Sequence, residues 1–324
     1  MQKIPTTILS GFLGAGKTTL VNHILQAPKT GRTAIIVNEY GDVGIDGQLI
    51  LSTDEEVIEL NNGCICCTVR ADLIGAITRL LERDQAIDRI IVETSGLADP
   101  APVIQSFLID EGLAARLSLD AVVTVIDALH VIDQLAHDEA REQVAFADVL
   151  VLNKTDLVDT QHLARTRARL RALNPLATIV EAEHSQVDLS AVLDLGAFDL
   201  NAILAIEPDF LSEHDHVHDV SITCVAIRED VALDGIQFNR WLNELVQESG
   251  RDLLRMKGVI HLIGERRRFV CHGVHMTLDG RPGAPWALGE ARQSQIVFIG
   301  RNLDEAALRR GFEDCAAVLA DTAS

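Results

Sequence analysis

Gly11-Phe12-Leu13-Gly14-Ala15-Gly16-Lys17-Thr18 decides the reading of this chain. It fits G-x-x-x-x-G-K-[ST], and its flanks fit a strand on one side and a helix on the other. Ile4 to Leu9 is a short apolar run with β-branched residues, the pattern of a buried strand. Thr18 to Leu25 reads as a helix with Leu20, Val21, Ile24 and Leu25 on one stripe. Phosphate is polyanionic and needs several donors converging at once. Gly11, Gly14 and Gly16 let the backbone curl past Ala15 so that N–H groups point inward, and the helix N-terminus adds its positive dipole end. Lys17 would reach the β- and γ-phosphates, the Thr18 hydroxyl would ligate magnesium, and Thr19 joins the donors. The alternative is a glycine-rich turn with a chance lysine, and the flanking strand and helix count against it. The stretch predicts a nucleotide site.

Composition narrows the remainder. At 324 residues there is room for two domains or one large one. With 48% hydrophobic and 23% charged residues, the balance is that of an ordinary soluble globular protein. A formal net charge of −20 argues against nucleic acid or an anionic membrane as partner, because phosphate contacts need clustered Lys and Arg. No apolar run approaches the ~20 residues of a membrane span. Met1-Gln2-Lys3 leads straight into the first strand, which leaves no room for a signal peptide. Three of the six cysteines, Cys64, Cys66 and Cys67, form a tight cluster unlike a disulfide framework. A reduced, cytoplasmic protein is expected.

Further apolar strands are predicted at Thr33–Asn38, Val57–Leu60, Arg89–Thr94, Leu119–Ile126, Asp148–Asn153 and Ala177–Val180. Helices are predicted over Thr68–Leu81, from about Ala101, and over Leu163–Leu173. This alternation indicates an α/β domain with a mostly parallel sheet covered by helices on both faces. Polar motifs recur at strand C-terminal ends, where such sheets bind ligands. Residues 1–206 are assigned to this domain and 207–219 to a linker holding His214, His216 and His218. Residues 220–324 form a smaller α+β C-terminal domain. Its strands are expected at Ser221–Ile227, Gly258–Ile263, Arg268–Cys271 and Gln295–Ile299, its helices at Ile236–Val246 and about Asp304–Leu319.

Asn153-Lys154-Thr155-Asp156 follows an apolar strand, so N-K-x-D sits at the C-terminal edge of the sheet. A carboxylate there accepts two hydrogen bonds from guanine N1–H and the 2-amino group. Adenine lacks that pair and would leave Asp156 unpaired, which favours GTP over ATP. A lone N-K-x-D is weak, and Asp156 could equally cap the next helical turn. Glu93 closes a buried strand, the usual place for the acid that holds magnesium, with Thr94-Ser95-Gly96 then against the γ-phosphate. The alternative is a carboxylate capping the following turn. In Cys64-Ile65-Cys66-Cys67 the thiolates are soft ligands suited to zinc, cobalt or copper(I), next to a helix N-terminus that lowers thiol pKa. Three sulfurs leave a four-coordinate shell incomplete, as in a site that exchanges its metal; apolar burial or redox chemistry are the competing readings. Cys224, Cys271 and Cys315 are scattered and read as core.

Gly11–Thr19, Asn38–Asp46, Asn61–Cys67, Glu93–Gly96 and Asn153–Asp156 together resemble the CobW-type members of the P-loop GTPases that include HypB and UreG. Arg255-Met256-Lys257-Gly258 and Val270–His275 resemble that family's C-terminal module. The resemblance implies a P-loop NTPase fold and a weak GTPase that delivers zinc or cobalt to a client metalloprotein. It makes Glu39 to Asp46 the first switch loop and Cys64, Cys66 and Cys67 the ligands of the delivered metal. Glu39, Asp42 and Asp46 are then the acids available to orient water. No arginine finger is identifiable, so a client or a second subunit of a homodimer would complete the site. Many family members carry a long histidine-rich run between domains, whereas this chain has only His214, His216 and His218, a weak metal site or a solvated linker. Two other functions compete: a small-molecule kinase on the same phosphate loop, and a regulatory GTP-binding protein whose zinc is structural.

Overall fold

The structure, a computed structural model, describes residues 3–27, 31–39, 56–61, 67–82, 87–96, 98–197, 222–287 and 289–316. The chain divides into two units, Met1–Phe198 and Asp199–Ser324. No helix among the described residues is long and apolar enough to cross a membrane.

In the first unit, β1 (Ile4–Gly11), α1 (Lys17–Gln26), β2 (Thr33–Glu39), β3 (Glu56–Asn61), α2 (Cys67–Leu81) and β4 (Arg89–Glu93) alternate regularly. There follow α3 (Ala101–Ile109), α4 (Glu111–Arg116), β5 (Leu117–Asp127), α5 (Val131–Gln134), α6 (Asp138–Phe146), β6 (Val149–Asn153), α7 (Thr160–Leu173) and β7 (Thr178–Glu181). The seven strands pair in the order β3-β2-β4-β1-β5-β6-β7, every pair parallel. All five residues of β6 are buried, as expected of a strand covered on both faces. Leu20, Val21, Ile24 and Leu25, the predicted stripe of α1, join Val123, Val125 and Val151 in one core. Every strand therefore delivers its C-terminal end to the same edge, with β1 in the middle.

The segment between β5 and β6, left unassigned by the sequence pattern, holds α5 and α6. Asp138 to Phe146 is mostly polar, so its helix depends on partners elsewhere. Asn174, wholly buried, supplies one: its Nδ2 donates to the carbonyls of Val144 (2.7 Å), Ala145 (3.2 Å) and Ala147 (2.9 Å). These carbonyls lie at the helix end, where Val144 O also accepts from Ala147 N (3.3 Å).

The second unit contains β8 (Thr223–Glu229), α8 (Gly235–Ser249), β9 (Leu253–Ile260), β10 (Arg267–Val274), β11 (Thr277–Pro285), β12 (Ser294–Gly300) and α9 (Glu305–Glu313). Its strands form an antiparallel sheet in the order β11-β10-β9-β12-β8. Phe238, Leu242 and Val246 of α8 and Leu308 and Phe312 of α9 cover one sheet face, against Val225, Met256, Ile296 and Phe298. Trp241 packs edge-on against Phe298 and Phe312, with ring centroids 6.1 and 5.7 Å away.

Three expectations are corrected here. β9 starts at Leu253 rather than Gly258, because Arg255 and Lys257 break the apolar pattern while being buried (2% and 7% exposed). β11 was not expected, since Gly280, Pro282, Gly283 and Pro285 read as turn. It is an edge strand, where a missing N–H costs no ladder bond. The closing helix ends at Glu313 instead of continuing to Leu319. The chain turns there so that the Cys315 carbonyl accepts from Asp234 N (2.8 Å) and Ala316 bridges Leu233.

Replacing Asn174 by Ala removes the side-chain amide shared by these carbonyls, while Val144 O keeps Ala147 N. The expected loss is about 2–3 kcal/mol of stability, read as a lowered urea midpoint with nucleotide-binding residues untouched.

Candidate nucleotide site

The loop from Gly11 to Thr18 leaves β1 and enters α1 at Lys17. Gly11, Gly14 and Gly16 all hold positive φ, at 138°, 76° and 112°. At Gly16 a Cβ would sit 2.4 Å from Asn153 Nδ2 and 2.7 Å from Ser185 Oγ, so glycine is required there by space as well as by φ. Lys17 is buried (7% exposed), and its Nζ donates to the loop carbonyls of Gly11 (2.9 Å) and Phe12 (3.4 Å). The ammonium thus lies over the mouth of the curl it would serve.

β4 lies beside β1 with Glu93 opposite Leu9, and Thr94 N and Oγ1 donate to Leu9 O at 2.9 and 3.3 Å. Glu93 is 2% exposed. The turn that follows runs directly beneath the phosphate loop. A Cβ on Gly96 would meet Leu13 N at 2.8 Å, so only glycine permits this approach. Gln143 of α6, fully buried, holds that turn by donating Nε2 to Gly96 O (3.1 Å) and Ala98 O (3.2 Å). The half-buried Thr18 hydroxyl and the Glu93 carboxylate are hard oxygen donors, the set that suits magnesium.

On the other side, Asn153 closes β6, 2% exposed. Its Nδ2 donates to Ala15 O (2.9 Å) and Ser185 Oγ (2.9 Å), and its Oδ1 accepts from Ser185 N (2.7 Å). Ser185 Oγ in turn donates to Gly16 O (2.9 Å). Ser185 and His184 are both left-handed, at φ 55° and 52°, which turns the chain after β7 back toward the phosphate loop. Lys154 is left-handed too (φ 62°), at a cost of about 1–2 kcal/mol for a residue with a Cβ. Its Nζ pairs with Asp127 Oδ2 at 2.7 Å. Asp156 is exposed on the one-turn helix Thr155–Leu157 and does not cap α7; Asp159 does, accepting from His162 N at 2.7 Å.

Not every expected site residue can be placed. Glu39 ends β2 and Cys67 opens α2, but their side chains are not described. Asp42, Asp46, Cys64, Cys66, His214, His216 and His218 lie outside the described residues. Among the described residues no group of three His, Cys, Asp or Glu is placed to hold a metal. Three residues of the network escaped the sequence reading. Ser185 and Gln143 carry no local motif. Asp127 lies one residue past the strand predicted at Leu119–Ile126 and closes the observed β5.

Phosphate loop and base loop therefore share one sheet edge and one set of hydrogen bonds, which makes the first unit a P-loop GTPase domain. Residues 5–181 match the family model described as CobW/HypB/UreG, nucleotide-binding domain. Residues 222–316 match the cobalamin synthesis protein cobW C-terminal domain. The chain belongs to the CobW/HypB/UreG family. It is 35% identical over 319 residues to zinc chaperone YjiA of Escherichia coli (strain K12), covering 96% of this chain and 98% of that protein. Zinc-regulated GTPase metalloprotein activator 1 of Schizosaccharomyces pombe (strain 972) is 32% identical over 348 residues, covering 94% and 84% respectively. The crystal structure of Zn(II)-bound YjiA GTPase from E. coli superposes with a TM-score of 0.78 at 29% identity, covering 98% of this chain and 100% of that one.

Ser185→Ala removes one acceptor from Asn153 and one donor to Gly16 O. Guanine-nucleotide affinity is expected to fall on the order of tenfold, for GDP and a GTP analogue alike, as measured by fluorescence titration.

Proposed function

We propose that this chain is a GTP-driven metallochaperone: a slow GTPase that carries zinc or cobalt on Cys64, Cys66 and Cys67 and releases it to a client metalloprotein. The observation that carries the reading is the strand order β3-β2-β4-β1. Asn61 pairs with Glu39 at the C-terminal end of β2 and β3, and Val37 pairs with Glu93. β3, the strand that precedes the cysteines, therefore ends at the same sheet edge as the phosphate loop, with β2 and β4 between it and β1. The homologous proteins named as zinc chaperones support zinc as the cargo. Thiolates accept cobalt as well.

In this reading Lys17, Thr18, Thr19 and the loop amides of Gly14, Ala15 and Gly16 hold the triphosphate, and Asp156 reads guanine. Thr18 and Glu93 would hold a magnesium ion, whose charge offsets that on the phosphates when bound. Gly96 lies beside the γ-phosphate. Glu39 or Asp46 of the switch loop orients water for in-line attack, breaking the bond between γ-phosphorus and the bridging oxygen to give GDP and phosphate. The rate is slow in this reading because no arginine finger is identifiable in the sequence, and a client or a second copy would complete the site. Contacts to the γ-phosphate order the switch and tighten the thiolate site, and their loss on hydrolysis loosens it. His214, His216 and His218 offer a weak secondary site in the segment between the family domains.

Zinc titrated against the GTP-analogue and GDP forms is expected to bind the former more tightly, by about 5 kcal/mol if the switch runs from mostly empty to mostly loaded. Equal affinities would remove the gating. Cys66→Ala with Cys67→Ala is expected to abolish tight zinc binding while GDP affinity stays, and a chelator is expected to leave the melting curve unchanged. A chelator-induced loss of folding would instead mark a structural metal.

Asp156→Asn is expected to lose preference for GTP and gain affinity for xanthosine triphosphate, whose 2-oxo group pairs with an amide donor. Competition binding with the two nucleotides measures the exchange.

A further inference from the structure

We propose that Asp127 is the positioning residue of the base loop, holding Lys154 as a fixed wall for the purine ring through a buried ion pair and so setting guanine-nucleotide affinity. It rests on the reading of Lys154 to Asp156 as the base loop. Asp127 closes β5, and its neighbour in register on β6 is Asn153. Its side chain is 4% exposed, yet both carboxylate oxygens are engaged. Oδ1 accepts from Leu129 N (2.9 Å) and His130 N (3.3 Å), closing the turn after the strand. Oδ2 accepts from Lys154 Nζ (2.7 Å) and His130 Nδ1 (3.0 Å). Burial alone would raise this carboxyl, but hydrogen bonds from Lys154, His130 and Leu129 outweigh it and hold it below the ordinary carboxylate value. The group is an anion facing an ammonium.

The two oxygens divide the work. Oδ1 serves the turn, and an amide or a hydroxyl would do that equally well. Oδ2 serves Lys154, and only a charge does that well. Lys154 sits in a left-handed conformation that asparagine or glycine would adopt with less strain, so a lysine there is kept for what its side chain does. A four-carbon stem swings freely in solvent. Tethered at Nζ, with the side chain about one-third exposed, it has one direction left. The tether is made within the protein itself, so ordering the stem takes nothing from binding.

The contact concerns the base and not the γ-phosphate, which fixes the signature. In the full-length protein, Asp127→Asn keeps an acceptor for Leu129 N and His130 N but presents an amide to the ammonium. Fluorescent GDP and a fluorescent GTP analogue should both bind about tenfold more weakly, with the ratio of the two unchanged. KM for GTP should rise with kcat at saturation held. Lys154→Met should show the same loss, and Asp127→Asn added to Lys154→Met should cost nothing more. Asp127→Ser is the second variant if the amide does not fold, since its hydroxyl still serves the turn. Equal losses in the two backgrounds, a selective loss for the GTP analogue, or unchanged affinity would each overturn the proposal. Asp156→Asn run alongside separates the two levels. If it keeps guanine preference, the base-loop reading falls and this inference with it. If it shifts to xanthine while the Asp127 effects are additive, only the positioning role falls.

Discussion

The side chain of Asn153 is the joint on which the nucleotide edge depends. A loop built to curl around phosphate is all backbone, and backbone N–H groups that point inward leave carbonyls pointing out. Ala15 O and Gly16 O are two of these, and they are answered by Asn153 Nδ2 and Ser185 Oγ. Buried acceptors without donors cost free energy, so the curl persists only while these partners stay in place. Asn153 in turn is fixed by Ser185 N, a residue thirty-two positions later. The phosphate loop is therefore held from outside itself, by the end of β6 and the turn after β7.

The same joint explains why the left-handed residues gather here. Gly16, Lys154, His184 and Ser185 each take positive φ within one network. For the three that carry a Cβ the conformation is unfavourable alone, and hydrogen bonds hold Lys154 and Ser185 in it. Asp127 adds a second tie one strand over, so the base side of the edge is braced by charge as well as by amide and hydroxyl. Toward β4 the described ties are Thr94 N and Oγ1 to Leu9 O. There the turn after Glu93 is carried by Gln143, whose two bonds go to single carbonyls of a short loop.

Legibility in the sequence followed the range of the interaction. Local signals came through: three glycines and a lysine between strand and helix, apolar runs for β1, β4, β5 and β6, and N-K-x-D after the right strand. Where local signals and tertiary demands disagreed, the tertiary demand won. Arg255 and Lys257 are charged residues inside a strand because neighbouring strands fix the backbone there. Pro282 and Pro285 sit in β11 because an edge leaves their missing N–H groups unneeded. Asn174 and Gln143 act across 27 and 47 positions on backbone carbonyls, and Ser185 reaches Asn153 across 32 positions and Gly16 O across 169, which no spacing rule reveals. Asp127 stood in plain view as a strand-closing acid, but a carboxylate's partner cannot be read without the neighbouring strand.

Strand order also divides the labour proposed for the edge. β6 and β7, with the base loop, lie on one flank of β1; β4, β2 and β3 lie on the other. Guanine is the part of the nucleotide that hydrolysis does not change, and the flank that would read it carries the Asn153, Ser185 and Asp127 ties. The γ-phosphate is the part that is lost, and the flank nearest Glu93 leads through β2 to the strand that precedes the cysteines. In the proposed function, a rigid grip on the base would keep the nucleotide bound while its terminal phosphate is lost, and the difference between GTP and GDP would be expressed in the other flank. If both flanks were braced alike, hydrolysis would change occupancy of the site instead of its shape, and release of cargo would have to wait for the nucleotide to leave. Under the proposed delivery, handing over the ion with GDP still held would require the two flanks to respond differently to loss of the γ-phosphate, and the strand order puts the cysteine-bearing side and the N-K-x-D side on opposite flanks of β1.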